Sequence, residues 1–190
     1  MFSEEKVAQM AAYLLLKRGG RMAYLKLMKL LYLSNRRSII ERGRMMGEDT
    51  IFSMPHGPVM SNTLDLIRQT HKRGGKYWYK LLRTEGNDLV LSRDPRCVDT
   101  DELLDTLSRS DIRILDSVYS EFGHMNRFEL RDMTHLKDYC PEWKDPGKSR
   151  KAIDRKDILI YSGKSEREAE SIIRNMEESE KLMEFSSNLR

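Results

Sequence analysis

The sequence contains little cysteine and has no long hydrophobic run. Its 190 residues include two cysteines, Cys97 and Cys140, without CxxC spacing, so we expect reduced thiols and no disulfide. The longest uncharged stretch, Thr50 to Leu64, contains prolines, serines and a glycine and is too short for a membrane span. The first residues are acidic where a secretory signal would be basic. These absences predict a cytoplasmic protein without membrane spans.

Apolar residues are somewhat scarce but sufficient for one core. Hydrophobic residues make up 39% of the chain and charged residues 34%, and a chain of this length ordinarily forms one domain. Helical spacing of apolar residues predicts a mainly helical α+β fold, a compact single domain with a buried central helix, a small β-hairpin and a C-terminal amphipathic helix. We assign residues 1–163 to this domain and residues 164–190 to the C-terminal helix, packed on the same domain.

Caps and turn residues predict where the elements begin and end. Ser3 caps the first helix, and the central helix runs from Arg21 to Arg42 with Gly43 as its stop. Gly57-Pro58 is expected to open another helix, because proline suits the first helical turn. Further segments are also expected: hairpin strands at Tyr77–Arg83 and Leu89–Ser92, a short helix at Asp101–Leu107, a helix capped by Ser110, helices ending near His135 and at Tyr161, and a capping box at Ser165–Glu168.

Charge is unevenly distributed along the chain. The net charge is +4, but the segment from Lys17 to Met46 carries +8 and the segment from Asp99 to Glu121 carries −5. This distribution predicts a basic side and an acidic side of the molecule, a polarity that suits binding to another protein.

Residues with catalytic or metal-binding chemistry do not form a recognisable motif. His124, His135, Cys140 and Cys97 have irregular spacing that matches no familiar zinc module. A second set of acids and a histidine beside a helix turn could be taken for a hydrolytic cluster, namely Glu121, His124, Glu129 and Asp132. Acids in such a position are usually solvated and not catalytic. We therefore expect no catalytic residue, no metal, no cofactor and no enzymatic activity.

A DNA-binding function is the alternative from a different class. The helix–turn–helix around Gly123, with a separate hairpin, is similar in order to a winged helix, whose recognition helix would be Arg127 to His135. Glu129 and Asp132 cancel the positive charge of that helix, which argues against phosphate contact. The alternative regulator would instead use a basic surface formed by Arg36, Arg37, Arg42 and Arg44.

A family resemblance rests on two short motifs. The run Lys26-Leu27-Met28-Lys29-Leu30-Leu31-Tyr32-Leu33, followed by Gly43 and by Gly57-Pro58-Val59, resembles the SocA-like, or Panacea, antitoxin domain. The likeness extends more weakly over most of residues 5 to 161, through Pro141-Glu142-Trp143 and Ile158 to Tyr161. It implies an antitoxin of a type II toxin–antitoxin system, which neutralises a toxin encoded beside it by direct protein–protein binding.

Candidate partner-binding residues follow from the resemblance and from the charge pattern. They are Lys29, Arg36, Arg37, His56, Gly57, Pro58 and Val59. For Lys29, the sequence leaves open a hydrogen bond to a buried carbonyl or carboxylate and a side chain that extends to solvent. For His56 to Val59, it leaves open a helix entrance and a contact loop. The oligomeric state and the toxin are not fixed by these residues.

Overall fold

The first helix and the end of the central helix lie where the sequence predicts them. The prediction that the central helix begins at Arg21 is wrong by three residues, because residues 21–23 pair as a strand with residues 88–90. The computed structural model describes residues 2–72, 75–97 and 103–188. Helix α1 (Glu4–Leu16) is capped by Ser3, whose hydroxyl accepts a hydrogen bond from the Lys6 amide at 3.4 Å. Strand β1 (Arg21–Ala23) leads into α2 (Tyr24–Arg42). Gly43 ends α2 in the left-handed conformation, with φ 59°, as its position in the sequence predicts.

A β-hairpin occupies the place of a predicted helix start. Strands β2 (Ile51–Met54) and β3 (Gly57–Met60) pair antiparallel, and α3 (Ser61–Ile67) begins after β3. The prediction that Gly57-Pro58 opens a helix is therefore wrong. The N-terminal cap of α3 comes from a residue more than ten positions earlier in the chain, because the Asp49 carboxylate accepts hydrogen bonds from the amides of Asn62 and Thr63 at 2.8 and 2.9 Å. Local sequence does not reveal such a cap.

The single hairpin that the sequence predicts is present as the second hairpin of the chain, but its first strand is shorter than expected. Helix α4 (Lys76–Leu81) replaces most of the predicted strand Tyr77–Arg83, and β4 (Leu82–Glu85) pairs with β5 (Asp88–Leu91). The Glu4 carboxylate accepts hydrogen bonds from the amides of Tyr77 and Trp78 and so caps α4. This tertiary contact, with Trp78 fully buried, outweighs the strand preference of the aromatic residues.

The remaining elements are mostly helical. They are α5 (Arg109–Phe122), α6 (Arg127–Met133), β6 (Lys151–Ala152), α7 (Arg155–Tyr161) and α8 (Glu166–Asn188). Ser108 caps α5 in a capping box with Asp111, so the prediction of Ser110 as the cap is wrong by two residues. Of the predicted helix Asp101–Leu107, residues 101–102 lie outside the described residues, Leu103 is helical, and residues 104–106 form a turn.

Two small antiparallel sheets and a shell of helices surround α2. The strand orders are β1-β5-β4 and β3-β2-β6. Helix α2 packs against α1, α5, α6 and α7, and twelve of its nineteen residues are buried. Ala169 and Met176 of α8 belong to the same hydrophobic core. Within the described ranges, no helix combines the length and the apolar character needed to cross a membrane. The fold is a mainly helical α+β domain.

The basic and acidic segments meet where α1 and α2 pack against α5. Asp111 of α5 has no exposed side-chain surface and pairs with Lys6 at 2.8 Å and with Arg42 at 2.9 Å. Two further ion pairs, Lys17–Asp116 and Arg37–Glu121, join α1 and α2 to α5. The prediction of a basic side and an acidic side is therefore wrong, since opposite charges attract across the α2–α5 contact and largely neutralise one another.

Candidate functional site

A buried polar network joins α2 to the loop that follows α6. We call residues 134–144 the 134–144 loop. Its Glu142 is 2% exposed, and its carboxylate accepts hydrogen bonds from the Tyr32 hydroxyl and from Arg36 Nε, the latter at 2.7 Å. Burial and the nearby Glu142 carboxylate raise the pKa of Tyr32 well above its ordinary value, so its hydroxyl stays a donor. The network holds the loop against the middle of α2.

Cys140 lies in the same network as a buried free thiol. Burial, together with Glu142, raises its pKa to about 12. A thiol with so high a pKa is a poor nucleophile and a poor metal ligand, because both roles require the thiolate. Cys140 therefore acts as a small apolar packing residue at this position.

Lys29 lies beneath the turn between β2 and β3. Its side chain is fully buried, and its ammonium donates a hydrogen bond to the Pro58 carbonyl oxygen at 2.8 Å. Burial lowers its pKa to about 7, with a smaller opposing effect of Cys140. Of the alternatives that the sequence left open for Lys29, the structure shows the bond to a buried carbonyl.

Gly57 makes this close approach possible. Its φ is +87°, and a Cβ atom added there would lie 2.6 Å from Thr134 Oγ1 and 2.8 Å from Lys29 Nζ. Because glycine lacks a Cβ and tolerates positive φ, the turn can close directly over the lysine and the 134–144 loop. Gly57, Pro58 and Val59 are all buried, so this segment supports the turn from inside.

The outer side of the turn is formed by His56 and the start of the 134–144 loop. His56 is exposed, while the rings of His135 and Trp143 pack with centroids 4.3 Å apart. Trp143 Nε1 donates to the Met54 carbonyl at 3.2 Å, which fixes the loop to β2. His135 Nε2 is buried and has no hydrogen-bond partner among the described residues, and burial followed by Lys29 lowers the pKa of His135.

A cleft lies on the other side of the same loop. It has a volume of about 240 Å³ and is lined by Leu33, Arg36, Arg37, Ile40, Glu41, Glu121, Phe122, Asp138 and Tyr139. Tyr139 at its edge is 47% exposed, and Leu136 nearby in the chain is 53% exposed. The Tyr139 amide donates a hydrogen bond to the Leu136 carbonyl, so the two exposed side chains lie within one turn of the chain and form a small apolar patch, a feature that can mark a contact surface.

The structure places several of the candidate residues beside the 134–144 loop and the seven at different depths: Arg36 bonds to Glu142, and Gly57 lies against Thr134. His56, Arg36 and Arg37 reach the surface in whole or in part, whereas Lys29 and residues 57–59 lie under it. Sequence reasoning missed Glu142, which joins the 134–144 loop to Tyr32 and Arg36 of α2. Its place in Pro141-Glu142-Trp143 was a signal, but no local pattern reveals a bond to Tyr32, which lies 110 residues away in the chain.

The structure shows how the residues considered for a metal site and for a hydrolytic cluster are arranged. Among the residues that the structure describes, no group of three or more His, Cys, Asp or Glu side chains could hold a metal ion. The Cys97 side chain lies outside the description. Three acids of the hydrolytic alternative have partners within the chain: Glu121 pairs with Arg37, Glu129 caps α6 and Asp132 pairs with Arg131.

Comparison with known proteins adds one finding to this geometry. The model of the family described as antitoxin SocA-like, Panacea domain, matches residues 27–144. The chain belongs to this family. The match begins in α2 and ends at Lys144, so the SocA-like region contains the buried network, the turn above Lys29 and the cleft beside Tyr139. No curated protein and no solved structure matches the chain. Membership of an antitoxin family supports an antitoxin role.

Proposed function

We propose that the protein is the antitoxin of a type II toxin–antitoxin system and neutralises a toxin by direct binding, without catalysis. The observation that carries the proposal is the family match over residues 27–144, the region that contains the 134–144 loop. The toxin is expected to be the product of a neighbouring gene. The protein needs no cofactor for this function.

The exposed side of the 134–144 loop is the proposed contact surface. Leu136 and Tyr139 supply apolar area, and the half-buried Arg36 and Arg37 with the exposed His56 supply polar contacts around it. An apolar centre surrounded by polar groups is the usual composition of a protein interface. In this proposal Lys29, Gly57, Pro58 and Val59 hold the surface in shape and do not touch the toxin.

Co-expression with the neighbouring gene tests the proposal. The neighbouring protein should be toxic alone, and the antitoxin should restore growth and co-purify with it. The double variant Leu136→Asp/Tyr139→Asp should lose both rescue and complex, because it places two carboxylates in the apolar centre of the surface. Tyr161→Asp is the matched control, since Tyr161 is also 47% exposed but lies on α7, outside the matched region.

Two results would contradict this function. One is a neighbouring protein that is harmless when expressed alone, and the other is rescue without a detectable complex. The alternative, a DNA-binding regulator, would then be tested by salt-dependent binding to duplex DNA. Its proposed basic surface is weakened by ion pairing, because Arg36, Arg37 and Arg42 each contact a carboxylate of the same chain.

A further inference from the structure

A second pocket lies near the start of α2, away from the 134–144 loop. It has a volume of about 350 Å³ and is lined by Arg18, Ala23, Lys26, Asn126, Arg127 and Phe128. All three ionisable residues in this lining are cations. The pocket combines residues from the α1–β1 turn, from α2 and from the start of α6.

The positive charge of this pocket is not neutralised as it is elsewhere in the basic segment. Of the nine basic residues between Lys17 and Met46, six pair with a carboxylate: Lys17, Arg21, Arg36, Arg37, Arg42 and Arg44. Arg18 and Lys26 make no such pair within the part of the chain that the structure describes, and neither does Arg127 across the pocket. Among the described residues, Arg18 and Lys26 therefore bring two cations without a carboxylate partner to this pocket, beside Arg127.

Lys26 is held in a fixed position at the base of the pocket. Its ammonium donates hydrogen bonds to the carbonyl oxygens of Gly123 and Met125 at 2.6 and 2.5 Å, which leaves one of its three donors. Burial, followed by the positive charge of Arg18, lowers the pKa of Lys26, and Glu129 opposes this only weakly. An anion in the pocket would favour the charged form of Lys26 and so offset both the effect of burial and the repulsion from Arg18.

Phe128 gives the pocket an aromatic edge. Its ring is 48% exposed, and the guanidinium groups of Arg127 and Arg131 lie 4.8 and 5.3 Å from the ring centroid. Stacking of this kind orients a guanidinium while leaving its N–H donors available. The edge therefore offers an apolar contact beside a charged one.

We propose that this pocket binds a carboxylate-bearing, acidic segment of a protein partner, with an apolar residue of that segment against Phe128. The inference goes beyond the proposed contact surface and identifies a second place on the molecule that recognises a protein. It rests on the proposed function only in identifying the partner as the toxin. Nucleic acid fits less well, because duplex DNA requires a continuous basic surface, whereas Glu129 and Asp132 follow the pocket directly on α6.

The pocket can be tested without the toxin. The probe is a synthetic peptide of alternating glutamate and phenylalanine, titrated into isotope-labelled protein and followed by amide chemical shifts. We expect saturable shifts at Ala23, Asn126 and Phe128. Arg18→Gln and Arg127→Gln should each raise the dissociation constant by about fivefold, since each removes one charge contact at the surface. The control Arg113→Gln removes an exposed arginine of α5 and should leave binding unchanged.

Three outcomes would overturn the proposal: no saturable shifts, equal binding by the parent and the Arg18→Gln/Arg127→Gln variant, or tighter binding of a 12-base-pair DNA duplex at the same residues. Co-expression with the toxin is scored separately. Peptide binding without rescue would refute the antitoxin function and retain the pocket, whereas rescue without peptide binding would refute the pocket and retain the function.

Discussion

Single buried side chains determine how the candidate site is held together. Tyr32, Lys29 and Glu142 are nearly or fully buried, and each is satisfied by a partner from another element. The sequence predicted a buried central helix, which contains Tyr32. It could not predict the partners, because periodicity shows which face of a helix is buried but not which distant group will meet it.

Tyr32 contributes both packing and a hydrogen bond. We expect Tyr32→Ala to lower the free energy of unfolding by about 3–5 kcal/mol, as truncation of buried aromatic side chains does. Tyr32→Phe should fold but lose about 2 kcal/mol, because the buried carboxylate of Glu142 then loses the hydrogen bond from Tyr32 and keeps the one from Arg36. Urea unfolding of both variants measures these losses. A Tyr32→Ala variant as stable as the parent would refute the role of Tyr32 in the core.

Lys29 makes stability depend on pH above neutrality. Its pKa is about 7 in the folded chain and 10.5 ordinarily, so the unfolded chain binds more protons between these values and the stability contribution of Lys29 increases with pH. The contribution is lost as pH falls through 7. The unfolding free energy of the parent should therefore increase from pH 7 to pH 9 relative to that of Lys29→Met, which lacks the titrating group. Lys137→Met, at an exposed lysine, is the control, and parallel curves for the parent and Lys29→Met would refute the prediction.

At the scale of elements, charges that are far apart in the sequence decide how helices pack. Helical boundaries were largely predictable from caps, as at Ser3 and Gly43. The start of α3 and the identity of α4 were not, because the carboxylates of Asp49 and Glu4 cap them from other elements. The same limit applies to charge: segment totals identified the basic and acidic runs but not that they meet.

Asp111 is the centre of the contact between α5 and the first two helices. Burial raises its pKa, but hydrogen bonds from Lys6, Ser108 and Arg42 outweigh that effect and hold the pKa well below its ordinary value. Asp111→Asn should lower the free energy of unfolding by about 3 kcal/mol, the low end for buried pairs, because its partly exposed partners can turn to water.

Asp116→Asn is the matched control for Asp111→Asn. Asp116 lies on the same helix and pairs with Lys17, but both side chains are partly exposed, so the loss should be about 1 kcal/mol or less. Chemical unfolding at neutral pH compares the two variants. Equal losses would show that burial of Asp111 does not determine its contribution.

At the scale of the whole molecule, the C-terminal helix is joined to the domain by a carboxyl pair. Arg155 of α7 contacts both Glu48 and Glu180. Burial, the hydrogen bond with Glu180 and its negative charge raise the pKa of Glu48 to about 7, while hydrogen bonds from Arg155 and Glu48 outweigh burial and lower that of Glu180. One proton is therefore shared between the two carboxyl groups near neutral pH.

This pair predicts a loss of stability as pH rises towards neutrality. The contribution of Glu48 is fully present below its ordinary pKa of 4.5 and is lost as pH rises through about 7, because the folded state binds more protons in that range. Glu48→Gln should show a smaller decline in stability with pH and be more stable than the parent above pH 7. Thermal melts of both proteins from pH 5 to pH 8 measure this difference. Glu178→Gln, at an exposed glutamate of α8, should retain the parent's decline. A decline unchanged in Glu48→Gln would refute the prediction.

The bond between Tyr32 and Glu142 also sets the order of events during synthesis. The two residues are 110 positions apart, and a ribosome adds about 5–20 residues per second, so Glu142 is made roughly 5–20 s after Tyr32. During that interval the hydroxyl of Tyr32 and the guanidinium of Arg36 have no carboxylate to bind, and α2 cannot bury them at low cost. The nascent chain therefore completes its core late, and a partner that recognises the 134–144 loop can bind only after this delay.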